Sequence, residues 1–225
     1  MNAKILLTTI ALSGLGMGAQ AITWDLAANY NTVSPSAPWS YGSVLNNGTG
    51  FTPLAWNAAT GTYGDGNGYD GAFVYQNATG SAGYGIANGQ VSLESDWGNA
   101  AAQWTAPSTG VYDIAAAIGG TTATEVNAIT GTGYGNNFAQ YAGLNISGVS
   151  QTGSFVNNVY SWAFTDVSLL AGQTIDAYVI NPGYANGGNT ATELTITEVP
   201  DGGLTAGLLG GVLAGLGALR RKLSA

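Results

Sequence analysis

The chain has 225 residues and a formal net charge of −8, with 12 acids against 4 cations and no histidine or cysteine. The four cations are Lys4, Arg220, Arg221 and Lys222, so residues 22–199 contain none. That composition removes electrostatic routes to nucleic acid and anionic lipid, an imidazole base, disulfides, thiolates and Cys/His zinc sites, and Schiff-base or P-loop lysine chemistry.

Residues 1–21 read as an export signal. Lys4 supplies the cationic start, ILLTTIALSGLGMG the apolar run, and Ala19-Gln20-Ala21 an A-x-A cleavage site. Cleavage is expected before Ile22, by signal peptidase after Sec export. The remaining body, 22–198, has the length of one domain and enough chain to bury a core.

Short runs rich in β-branched and aromatic residues, separated by Gly/Asn/Pro turns, predict strands through the body. They are 22–28, 39–45, 71–76, 89–95, 101–107, 111–118, 139–147, 147–155, 160–170, 173–180 and 190–199. The pair 139–147 and 147–155 reads as a hairpin over Gly148. In VYDIAAAI, Tyr112, Ile114 and Ala116 share one face, and Val111, Asp113 and Ala115 the other. Such spacing predicts an all-β sandwich or barrel, and no amphipathic helix is visible between the two ends.

Four features of the body could carry chemistry. In GDGNGYDG (64–71), Asp65, Asn67 and Asp70 place side-chain oxygens among glycines, which suits a hard cation such as Ca²⁺. The same residues also suit a solvated turn. Glu94 and Asp96 lie two apart on a predicted strand, a spacing open to a glycosidase couple or to two exposed polar positions, and a non-catalytic body is expected. All 6 Trp and 12 Tyr are in the body. Trp24, Trp104 and Trp162 are expected in the core, whereas Trp56 and Trp97, in Gly/Asn-rich surroundings, are the candidates for exposed sugar-stacking faces. Asn47, Asn77 and Asn145 begin N-x-[ST] triplets, a weak signal.

The end of the chain reads VPDGGLTAGLLGGVLAGLGALRRKLSA. Residues 204–219 carry no charge and span roughly 24 Å as a helix, at the short limit for a membrane crossing. Arg220, Arg221 and Lys222 follow at once and would stay cytoplasmic. The expected precursor is an outside body, one span in the inner membrane and a short inside tail.

This order of parts, a short Pro-containing motif, an apolar helix and a basic cluster, resembles the PEP-CTERM sorting signal of Gram-negative bacteria. The closest variant is VPDSG-CTERM, with the motif here Val199-Pro200-Asp201-Gly202-Gly203 and glycine at 202 in place of serine. The resemblance implies processing by an exosortase, a membrane-embedded cysteine transpeptidase, that delivers the body to the cell surface, outer envelope, extracellular matrix or its polysaccharide. In the body, Pro38-Trp39-Ser40-Tyr41-Gly42, the segment from Gln103 to Ile114 with W-T-A-P and G-x-Y-x-I, and L-x-A-G-x-T-I at 169–175 resemble stretches found in many bodies carrying this signal. They are also similar to segments of jelly-roll, carbohydrate-binding-module-like sandwiches. The resemblance implies that fold and leaves the ligand open.

Overall fold

A computed structural model describes residues 20–30, 37–64, 71–78, 86–95, 98–119, 132–133, 136–137, 141–157, 159–180 and 189–200, with 210, 211, 213, 215, 216 and 220 in the tail. The chain divides into two compact units, Thr23–Thr197 on the one hand and Met1–Ile22 with Glu198–Ala225 on the other. The described tail residues have helical backbone. Among the described residues, no helix is long and apolar enough to cross a membrane.

Thr23–Thr197 is all-β. Its strands, among the described residues, begin with β1 (Thr23–Asp25), β2 (Trp39–Ser43), β3 (Thr52–Pro53), β4 (Ala55–Asn57), β5 (Thr62–Gly64), β6 (Ala72–Gln76), β7 (Val91–Ser95), β8 (Ala100–Thr105) and β9 (Gly110–Gly119). The short β10 (Thr132–Gly133) and β11 (Asn136–Asn137) pair with each other. Then come β12 (Tyr141–Ile146), β13 (Val149–Gln151), β14 (Ser154–Val156), β15 (Val159–Leu169), β16 (Thr174–Ile180) and β17 (Asn189–Glu198).

Two antiparallel sheets stack as a sandwich. One runs β14-β15-β9-β17-β7-β6-β5-β4, with β1 also paired to β17. The other runs β13-β12-β16-β8-β2-β3. Strict alternation generates the core between them. Tyr112, Ile114, Ala116 and Ile118 of β9 face Ile175, Ala177 and Val179 of β16, Ala100, Ala102 and Trp104 of β8, and Trp39 and Tyr41 of β2 in one cluster. The alternation expected for β9 is thus present, and Trp104 and Trp162 are buried with Trp24 packed on the core from its edge.

Aromatic rings interlock across that core. Trp104 lies 5.3 Å from both Trp24 and Tyr112, and Tyr41 lies 4.7 Å from Tyr63. These separations fall within the range where ring pairs add to the effect of burial. The Tyr112 hydroxyl donates to the Ser108 carbonyl at 2.7 Å, pinning the turn between β8 and β9.

The hairpin over Gly148 forms as expected. Ser147 and Gly148 take φ of 52° and 77°, the left-handed pair that matches strand twist in a two-residue connection. The hairpin β4–β5, by contrast, lay in a stretch with no expected strand. AWNAATGTYG is short, small and polar, and its shape comes from local bonds. Asn57 Oδ1 accepts from the Ala59 N–H, and the Gly61 N–H donates to the Asn57 carbonyl.

Candidate functional site

The six-stranded sheet has an outer face that is far from uniformly apolar. Alternation turns Ser40 (β2), Gln103 (β8), Asp176 (β16) and Asn145 (β12) away from the core, because their chain neighbours Trp39, Trp104, Ile175 and Leu144 point into it. Register then aligns them. Ser40 is opposite Gln103, Gln103 opposite Asp176, and Asp176 opposite Asn145. Asn145 is opposite Ser150 of β13, so one polar row crosses five strands.

A loop closes over the end of this face next to the row. Gly48 and Gly50 take φ of 73° and 69°, and bonds between Leu45 and Thr49 and between Gly48 and Leu45 fold the segment back on the sheet. Asn99 Nδ2 ties it down through the Val44 carbonyl. The loop covers Val44, Ala101, Tyr178 and Ile180, with Phe51 packed against them. Tyr178 lies between two glycines: a Cβ added to Gly48 or to Gly143 would come 2.2 Å from its Cζ.

Under this cover Asp176 and Asn145 are only 7% and 1% exposed. Gln103 Nε2 donates to Asp176 Oδ1 at 2.7 Å, and the Thr174 hydroxyl approaches Oδ2 at 3.5 Å. Asn145 Nδ2 donates to the Gly48 carbonyl. Its Oδ1 is buried with no hydrogen-bond partner. Burial pushes the Asp176 carboxyl above its ordinary value, against the opposing pull of the Gln103 and Thr174 donors.

The row therefore presents acceptors, one of them a carboxylate, in a body without a cation. It is suited to hydroxyl donors or to a positive ion. A carboxyl whose folded pKa is raised binds its proton more readily when folded, so its stabilising contribution is complete below the unfolded carboxylate pKa. That contribution is lost as pH rises through the folded value. Asp176→Asn is accordingly expected to raise stability relative to wild type at pH 7. The difference should shrink on acidification below the ordinary carboxylate range, as read by urea unfolding at both pH values. A variant less stable than wild type at pH 7 contradicts this.

The residues singled out from sequence are distributed differently. Trp56 is half-buried on β4, opposite Tyr63, with ring centroids 5.1 Å apart. One side of the indole is therefore committed to the core cluster instead of standing free. Trp97, Asp96 and the triplet Asp65, Asn67 and Asp70 lie outside the described residues. Glu94 is half-buried on β7, opposite Phe73 and Asn189. Asn77 and Asn145 are buried and hydrogen-bonded through Nδ2 to Ile86 and Gly48, so neither amide is presented for glycosylation. Asn47 is exposed.

The two ends of the body emerge side by side. Thr23 of β1 pairs with Thr197 of β17, and the Glu198 N–H donates to the Ile22 carbonyl at 2.8 Å. Ala21 is exposed and Ala19 lies outside the described residues. Glu198 ends β17. Val199 is half-buried, Pro200 exposed, and Asp201, Gly202 and Gly203 lie outside the described residues. In the basic tail Arg220 is exposed, while Arg221 and Lys222 lie outside them.

The polar row itself went unnoticed in the sequence, where Asn145 stood out only as the start of an N-x-[ST] triplet, although a signal was present. AAAQWT, TIDAYVI and YAGLNI each carry a single acid or amide set in small or apolar neighbours. Only the strand register brings the three together.

Residues 198–223 match the family model of the VPDSG-CTERM motif. The match is consistent with a C-terminal sorting domain of the PEP-CTERM type. No curated protein matches the chain.

Proposed function

We propose that the chain is the precursor of an exported, non-catalytic surface or matrix protein, processed at its C-terminus by an exosortase-type transpeptidase. The observation that carries this reading is the position of the motif. β17 ends at Glu198 and the motif begins at Val199, within the matched stretch 198–223. Cutting there removes no strand. Signal-peptidase cleavage before Ile22 likewise falls just ahead of β1, so both cuts spare the Thr23–Thr197 unit.

In this reading residues 204–219 cross the inner membrane until the cut, with Arg220, Arg221 and Lys222 retained inside. The body is of the jelly-roll type, a reading supported by a chain that passes repeatedly between the sheets, at β1–β2, β3–β4, β7–β8, β8–β9, between β9 and β12, and at β13–β14, β15–β16 and β16–β17. Replacing Val199, Pro200 and Asp201 together by alanine should leave the full tail in place and hold the protein in the inner-membrane fraction. Unchanged release of a shortened body from that variant contradicts the proposal.

A second reading gives the delivered body a saccharide to hold. The outer face of the six-stranded sheet favours it, with hydroxyl, amide and carboxylate groups in one row. Tyr141 is 54% exposed four residues before Asn145 on the same face of β12. Trp56 and Trp97 would be accessory stacking faces, and extracellular polysaccharide the natural partner.

A further inference from the structure

We propose that Asp176 and Asn145 form a binding site for a hard divalent cation, Ca²⁺ being the member of that class that fits best. The two residues are directly opposite on β16 and β12, which places their Cβ atoms about 5 Å apart on one face. Oxygens at the ends of two such side chains can meet a single ion at the 2.3–2.6 Å that Ca²⁺ requires.

The orientation of the Asn145 amide is fixed by its surroundings. The Gly48 carbonyl can only accept, so the group facing it is the Nδ2 donor. Oδ1 is thereby the unpartnered buried atom. An amide oxygen removed from water without a partner costs free energy, and a cation removes that cost. Asp176 has an oxygen to give as well: Gln103 holds Oδ1 at 2.7 Å, whereas Oδ2 has only Thr174 at 3.5 Å. No Lys, Arg or His occurs anywhere in 22–199, so a positive partner for this buried carboxylate must come from outside the body.

One carboxylate and one amide make a weak site, with water completing the coordination. An affinity on the order of 10⁻⁴ to 10⁻³ M is expected, the range of extracellular Ca²⁺ modules. Mg²⁺ demands near-ideal octahedral geometry and gives up its water reluctantly, so it should bind less well on this sheet face. The site differs from the Asp65, Asn67 and Asp70 loop and does not depend on processing of the tail.

The test is thermal unfolding of the full chain in mild detergent, with CaCl₂ against NaCl of matched ionic strength. At tenfold excess over Kd the Tm should rise by about 3 °C or slightly more. Asp176→Asn, which keeps an acceptor for Gln103, should abolish the rise. Asp65→Asn with Asp70→Asn should retain it. Asn145→Ser should weaken binding about tenfold, and tests the second ligand independently of Asp176. No rise in the wild type, or a rise retained by Asp176→Asn or unaffected by Asn145→Ser, overturns the proposal.

Discussion

Trp104→Ala should destabilise the sandwich by about 3–5 kcal/mol, the range for removing a fully buried large aromatic. The indole is 0% exposed. It is opposite Trp39 across β8 and β2 and touches Trp24 and Tyr112 at 5.3 Å each. Its neighbours come from both sheets, so no small local shift can fill the void. Trp104→Phe should cost far less, because the Trp104 N–H has no hydrogen-bond partner to lose. Urea unfolding followed by far-UV circular dichroism measures both. A loss below about 1 kcal/mol for the alanine variant contradicts the two-sheet core. Trp56→Ala, half-buried on the short β4, provides the contrast and should cost less than Trp104→Ala.

Gly143→Ala should cost about 1–3 kcal/mol, the usual penalty of overpacking. The new methyl would lie 2.2 Å from Tyr178 Cζ. A tyrosine ring end can often swing away, but Gly48 approaches the same ring just as closely through the loop above it. Relief therefore requires lifting that loop, which also strains the bond from Asn145 to the Gly48 carbonyl. A double-mutant cycle identifies the cause. Tyr178→Ala is costly alone, yet Gly143→Ala added to it should be almost free, because the clash has gone. Strict additivity would show that Tyr178 is not what limits position 143.

How far the fold could be read from sequence depended on strand length and composition. β9, β15, β16 and β17 each run for seven residues or more, and their aromatic and β-branched residues announce them. The β12–β13 turn is announced by its glycine. β4 and β5 have three residues each and are built from Ala, Asn, Thr and Gly around one aromatic apiece, so they carry no periodic signal. The same small, polar setting makes Trp56 look exposed, whereas pairing with Tyr63 buries part of it. The polar row was hidden for another reason. Gln103, Asn145 and Asp176 are scattered along the chain and become neighbours only through antiparallel register. Within one strand, each reads as an ordinary polar position.

The C-terminal motif was more legible, because a motif of this kind is a linear order of parts. Val199 to Gly203, the uncharged run 204–219 and the three following cations can be read directly from the sequence. The match over 198–223 bears out that reading of the motif.

The most direct test of this account is the intact mass of the mature protein from its native host, measured in parallel in a strain lacking the exosortase. The account predicts a body that begins at Ile22 and ends between Val199 and Gly203, found outside the inner membrane only when the enzyme is present. A full-length tail retained in the inner membrane in both strains would contradict it.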